Sequence, residues 1–533
     1  MPDLDIEKRI GRLRSGGRSV RISQRSSAKN SQVVKAGMIG GKYKPLDHSD
    51  LQKIHQAALE ILSTIGVADA TPEVVELALD SGCILNEHGR LCFPKSLVED
   101  VLANAANEYV IYSRNSDHAD LHVGGYRVHY ATSGEAVTIL EFGSKTYRPS
   151  TLIDLYDACR LVDKLEYIHQ FGQTVIPTEI SDLDEHDFNV AYTLVSGTEK
   201  PFEMTFNRAQ NIKGAVEMFD MVLGKEGLFA RKPFCSFGGC PIVSPLRFAK
   251  DNLDVLVETS RLGLINDIAI APQAGATSPV TLAGTLAQVT AEGLACLAIV
   301  NFITPGCPMS FAIWPFISDL RTGSFSGGSG EEALIIAAAV QIGKFYNLPT
   351  TVPSCMTDSK IPDAQAGYEK GISAVLAGLA GGNRILESAG MLSSLMGCSF
   401  EALVIDNDML GNVQRIIRGI EVTEETLSVN VIKDVAIGAG HFLGQKQTLD
   451  LMQSEFLYPK IADRSPPGEW EEEGSKDILE RAHDTACKIL SNNYPEHIKT
   501  EEDKKIRDRF PILLPLDAMK PSARWKKANL LGD

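Results

Sequence analysis

Cysteine is present in this 533-residue chain but never in a CxxC arrangement, and the nearest pair is Cys235 with Cys240. That spacing argues against a structural zinc site or a disulfide framework and predicts a reducing, cytoplasmic home. No charge-free apolar run reaches the roughly 18 residues of a membrane span, so the chain is expected to be soluble. Positive charge is in deficit, with 52 Lys and Arg against 68 Asp and Glu and a net charge of −16. Such a balance disfavours non-specific nucleic-acid binding and would suit a basic protein partner. Three signatures are also missing: GxSxG, GxGxxG after the first apolar strand, and a P-loop Lys. Their absence speaks against an α/β-hydrolase, a dinucleotide fold and a bound nucleotide. Tryptophan is scarce, at three residues, which singles out any Trp placed near a strand end.

What is there is organised. The first 35 residues carry nine Lys or Arg among Ser and Gly without an apolar core, which excludes a secretory signal and reads as a disordered basic arm over 1–44. Amphipathic segments such as "DLQKIHQAALEILSTIG", with a hairpin at "CILNEHGRLCFP", predict a helical cap over 45–125. From about 126 to 420 eight short apolar runs, from "RVHYATSG" to "RILESAG", are each followed by a helical pattern. Eight strand and helix pairs predict a (β/α)8 barrel, with an open doubly wound sheet as the alternative. Residues 421–533 read as a helical extension and tail packed outside the barrel.

In a barrel the polar residues just past each strand face the active-site end. Here they are Tyr130 and Glu135, Gln173, Asn207, the turn from Gly238 to Pro241, Gln273, Trp314 with Asp319 and Arg321, Met356 with Asp358 and Lys360, and Glu387 with Met391. None of these strand ends offers a His pair or a Cys with His at ligand spacing, so no metal is expected. His129 and His169 lie inside strand candidates and read as hydrogen-bonded core residues. Trp314 and Phe316 are two residues apart, which in extended backbone places them on one face. An aromatic face at a barrel mouth suits a cation. The Gly-rich stretch from Gly323 to Gly330 leads into a helix whose first turn holds Glu331 and Glu332. Acids there suit the helix dipole and repel a polyphosphate, so a nucleotide is not the loop's expected ligand.

Four stretches, "WPFISDLRTGSFSGGSGE", "TDSKIPDAQAGYEKG", "SFEALVIDNDML" and "GHFLGQKQT" with the later "YPKIADR", resemble the trimethylamine:corrinoid methyltransferase superfamily. The resemblance spans about residues 45–465. It implies a (β/α)8 protein that moves a methyl group from an amine to the Co(I) of a corrinoid (cobalamin) carried on a separate small protein. No metal or nucleotide is then bound by this chain itself, and a homo-oligomer is expected. The archaeal trimethylamine enzymes carry pyrrolysine at a position that aligns at or beside Met356. A standard residue here resembles the non-pyrrolysine, glycine betaine methyltransferase-like branch.

A quaternary ammonium already carries the charge that makes it a methyl donor, so no protein acid or nucleophile is required. Catalysis then rests on positioning and exclusion of water. On this reading Trp314 and Phe316 face the cation, and Arg321 with the Gly-rich loop receives the carboxylate of betaine. Gln273 and Asn207 orient the ligand, while Asp319, Met356, Asp358, Lys360 and Glu387 line the mouth. Glu387 either pairs with Arg384 or Lys360 or faces the substrate. Proline betaine, carnitine or butyrobetaine would serve the same chemistry. A binding barrel without turnover, and a barrel enzyme using methyltetrahydrofolate or lyase-type acid and base, are the rival functions.

Overall fold

A computed structural model describes residues 33–521 and Trp525. The eight predicted strands all form: β1 Arg127–Tyr130, β2 Phe171–Gly172, β3 Phe202–Thr205, β4 Cys235–Gly239, β5 Asn266–Ile268, β6 Met309–Ser310, β7 Thr351–Pro353 and β8 Arg384–Leu386. Parallel ladders run from β2 through β3, β4 and β5 to β6, and from β7 through β8 to β1. Two parallel bridges, Phe311 with Thr350 and Ala131 with Gln170, join these arcs. The ring is therefore closed, and the fold is a (β/α)8 barrel rather than an open sheet.

A helix follows every strand: α1 Leu152–Val162, α2 Leu183–Gly197, α3 Ile212–Leu223, α4 Lys250–Arg261, α5 Leu282–Ile303, α6 Gly330–Phe345, α7 Ala364–Ala380 and α8 Phe400–Arg418. Local chemistry sets their ends. Thr151 and Asp154 form a capping box at α1, Asp182, Ser329 and Asp363 cap α2, α6 and α7, and left-handed glycines Gly224 and Gly381 stop α3 and α7. Among the described residues only α5 is long and apolar enough to cross a membrane by length and composition, and it is buried within the protein. Its Glu292 accepts the Leu246 N–H and the Ser244 hydroxyl, both at 2.8 Å.

One end of the barrel is shut by an element the sequence pattern did not reveal. Hairpin strands Glu108–Ile111 and Leu121–Gly124 pair antiparallel and bury Tyr109, Ile111, Leu121 and Val123 against Ile265, just before β5. Tyr109 Oη lies 2.6 Å from Ser310 Oγ on β6. Above this plug the lumen is polar. Arg384 donates to Gln170 at 2.8 Å, to Glu203 at 2.9 Å and to Asp267. A guanidinium this deep is tolerable only because carboxylates and an amide meet its donors.

Helices His48–Glu60, Pro72–Asp80 and Lys95–Asn104 pack on α5, and the predicted hairpin forms at Ile84–Leu85 with Leu91–Cys92. Residues 1–32 of the expected disordered arm lie outside the described residues. The remainder of that arm differs from expectation, because Met38–Ile39 pair antiparallel with β1. Gly40 permits it: a Cβ there would stand 2.3 Å from the Gly378 carbonyl. Helices Ile478–Asn492 and Thr500–Arg509 of the predicted extension pack on α1 and α3, where Arg160 donates to the carbonyls of Leu490 and Asn493 at 2.7 and 2.6 Å. Residues 418–459 behave separately, forming a small compact unit with 33–35. Within it Arg418 holds Glu455 at 2.8 Å and the Ser454 carbonyl.

Candidate active site

The plug leaves the carboxyl ends of the strands as the open end. Strand periodicity decides which side chains look into it. On β6, Ser310 faces inward to Tyr109, while Phe311 and Ile313 face outward, where a Cβ on Gly293 of α5 would touch both. Two residues on from Ala312, Trp314 therefore faces the lumen. Its indole N–H donates to the Thr351 carbonyl at 3.0 Å, which fixes the ring. Phe316 follows with its centroid 6.4 Å from that of Trp314, and Phe325 tilts against Phe316 at 4.6 Å. Both Trp314 and Phe316 remain 8% exposed.

Acids gather at the same end. Glu135, one turn past β1, accepts from Thr205 of β3. Glu387 follows β8 directly and is 2% exposed, with one carboxyl oxygen lacking a hydrogen-bond partner. Both residues hold left-handed backbone, φ 48° and 60°, a conformation that costs non-glycine residues energy and gathers at functional sites. Glu332, in the first turn of α6, is 1% exposed; the Ile317 N–H is nearby, yet neither carboxyl oxygen has a partner in hydrogen-bonding geometry. Burial, and then the Glu135 charge, push the Glu387 carboxyl up to about 8. Burial first, then Glu387 and Asp358, push Glu332 far above the carboxylate range. Cys240, on the turn after β4, has its thiol pushed up to about 11, first by burial of the sulfur and then by the charges of Glu135 and Glu387.

The remaining sequence candidates are distributed unevenly. Asp358 lies at the mouth but turns to the Gly-rich loop, accepting from Gly327 N at 2.9 Å and from Ser326 Oγ at 2.7 Å. Ser394 Oγ reaches the same carboxylate at 2.6 Å, from a turn in which Ser393, Ser394 and Leu395 are all left-handed. Met356 is buried beneath this loop; a Cβ on Gly327 would stand 2.8 Å from its own Cβ. Gln273 accepts from Ser318 at 2.9 Å, and Gln173 is buried with its carbonyl oxygen unpartnered. Asn207 donates to Asp187 of α2 at 2.8 Å. Arg321 is clasped by Asp319 at 3.0 and 2.7 Å with its side chain 89% exposed. The exposed Lys360 amine donates to the Asp358 carbonyl at 2.6 Å. Neither Lys360 nor Arg384 pairs with Glu387, because Arg384 is committed to Asp267 and Glu203 in the layer below. Tyr130 points away, donating to Ala374 of α7 at 2.9 Å, while Met391 packs under Gly134. His129 and His169 sit in the core at a ring distance of 5.8 Å, both depressed by burial.

Residues 14–510 match the family described as trimethylamine methyltransferase (MTTB). The chain belongs to that family. Trimethylamine methyltransferase MttB of Methanosarcina thermophila is 32% identical over 458 residues, covering 85% of this chain and 94% of that one. Glycine betaine methyltransferase of Desulfitobacterium hafniense is 31% identical over 473 residues, covering 88% and 97%. Among solved structures, monomethylamine methyltransferase (MtmB) of Methanosarcina barkeri overlays with a TM-score of 0.45 at 14% identity, covering 86% and 96%. As a member of the trimethylamine methyltransferase family the chain is a methyltransferase. Within it, Glu332 is the mouth residue that sequence reasoning missed. An acid three residues past a Ser cap is ordinary helix chemistry, and no local signal distinguishes one that turns inward.

Proposed function

We propose that this methyltransferase takes a methyl group from a quaternary amine, glycine betaine foremost, and delivers it to the Co(I) of a corrinoid held by a small partner protein in the cytoplasm. The observation that carries the reading is the set of mouth acids without a basic partner: among the described residues neither Glu135, Glu332 nor Glu387 has an ion pair. Acids kept without Lys or Arg favour a cationic ligand, and the face of a lumen-facing Trp suits an ammonium group that has no N–H to donate. The glycine betaine methyltransferase relative supports the same substrate class. The nucleophile must come from outside the chain. Cys240 is the cysteine at the mouth, and a thiol pushed up to about 11 is not a thiolate at neutral pH. The corrinoid, when docked, supplies that nucleophile.

In the step itself the carbon–nitrogen bond breaks and its electron pair stays on nitrogen, so a neutral tertiary amine leaves. The protein's part is to hold the ammonium group against Trp314 and the acids, aim one methyl outward and exclude water. The test is anaerobic incubation with Co(I) cobalamin and, separately, glycine betaine, proline betaine, carnitine, butyrobetaine and trimethylamine. Loss of the Co(I) absorbance together with the demethylated amine is expected for a quaternary substrate. Turnover of trimethylamine alone would overturn the reading, and tight binding of a betaine without turnover would assign a binding barrel instead.

A further inference from the structure

Glu332 and Glu387 come from different elements at the carboxyl end of the barrel, the first turn of α6 and the end of β8; both are buried, 1% and 2% exposed, and the Glu387 charge is felt at Glu332. Three oxygens between them, both of Glu332 and Oε2 of Glu387, have no hydrogen-bond partner. Idle burial of this kind is costly, and two buried carboxylates that feel each other's charge are held from ionising together unless a cation joins them. The groups around them supply none. The charge felt at Glu387 is that of Glu135 from the β1 side, Cys240 of the β4 turn feels both acids, and Glu332 also feels Asp358 from the β7 side. His186 of α2 acts on Glu135 alone among these acids, and Lys370 of α7 is held by Asp406 at 2.6 Å. Nor is this a metal site, since among the described residues no three His, Cys, Asp or Glu come together closely enough to hold an ion.

We propose that Glu332 and Glu387 together form the counter-charge for the substrate's ammonium group, holding protons while the mouth is empty and releasing one to solvent when the cation enters. This deepens the quaternary-amine reading and rests on it. The proton step is an O–H ionisation: the electron pair stays on the carboxylate, and the proton goes to buffer.

The probe is tetramethylammonium, whose charge does not change with pH. Calorimetry on the full chain in phosphate and in Tris, which differ in ionisation enthalpy, reads the protons released on binding. About one proton per cation is expected near pH 7, and affinity should rise about tenfold or more from pH 6 to pH 8. Glu387→Gln and Glu332→Gln, each a fixed copy of the protonated acid, should lower the proton count and flatten that rise. Binding with no proton released and no pH dependence in the wild-type protein would overturn the counter-charge assignment while leaving the substrate class standing. If neither tetramethylammonium nor any betaine binds, the quaternary-amine reading itself fails, and the counter-charge with it.

Discussion

The Asp358 carboxylate accepts the Gly327 N–H at 2.9 Å, so the Gly-rich turn before α6 closes on an acid from the loop after β7. The expectation that this loop receives a carboxylate finds its match inside the protein, since the carboxylate it binds here is the chain's own. Because Ser394 donates to the same group at 2.6 Å, one side chain ties together the loops that follow β6, β7 and β8.

Asp358→Ala is accordingly expected to free residues 322–329. Loss of three hydrogen bonds to a charged acceptor should reduce stability by about 1–3 kcal/mol. Amide exchange across the loop should accelerate well before the barrel strands change. Asp358→Asn, which keeps part of the bonding capacity, should show a smaller effect. Unchanged exchange in Asp358→Ala would mean that the packing of Gly327 on Met356 holds the loop by itself.

Trp314 should contribute one aromatic face to cation binding. Trp314→Ala is expected to weaken tetramethylammonium affinity by about 0.5–2 kcal/mol, with Trp314→Phe costing less. Calorimetry on variants with native circular dichroism provides the measurement. Equal affinity in the Ala variant would restrict Trp314 to its bond with Thr351.

Glu387 should leave a pH signature on stability. The unfolded carboxyl releases its proton near the ordinary value of 4.5 and the folded one near about 8. Between those values the unfolded chain binds fewer protons, so this residue's contribution is fully favourable below 4.5 and is lost as pH rises through about 8. Glu387→Gln removes the titration. Its Tm should match wild type near pH 5 and exceed it at pH 8.5, on the order of 4 kcal/mol in stability. A constant offset at both pH values would show that Glu387 ionises alike in the folded and unfolded chain.

The barrel was legible because each strand announces itself locally, as an apolar run with a helix behind it. "RILESAG" and "MSFAIWPF" needed no distant partner to be read as strands. Trp314 was legible for the same reason, since strand alternation alone fixes its side. What could not be read depends on meetings between distant segments. The Gly327 bond to Asp358 spans 31 residues and the Tyr109 bond to Ser310 spans 201. Arg384 looked available to Glu387 from three residues away, but alternation turns it into the layer of Glu203 and Asp267. Arg321 likewise offered a free charge in the sequence, while Asp319 two residues earlier takes it at the surface.

The Tyr109 hairpin makes the lumen a well with a sealed floor. With the proposed corrinoid protein as methyl acceptor, amine and acceptor share one doorway, and an acceptor carried on a protein is too large to share it with a passing small molecule. Arrival is then compulsorily ordered, with the amine seated before the acceptor covers it, and the demethylated product departs only after the acceptor has lifted away. Excess acceptor should therefore slow turnover by blocking the entrance to an empty well, a pattern of inhibition that a barrel open at both ends would not display.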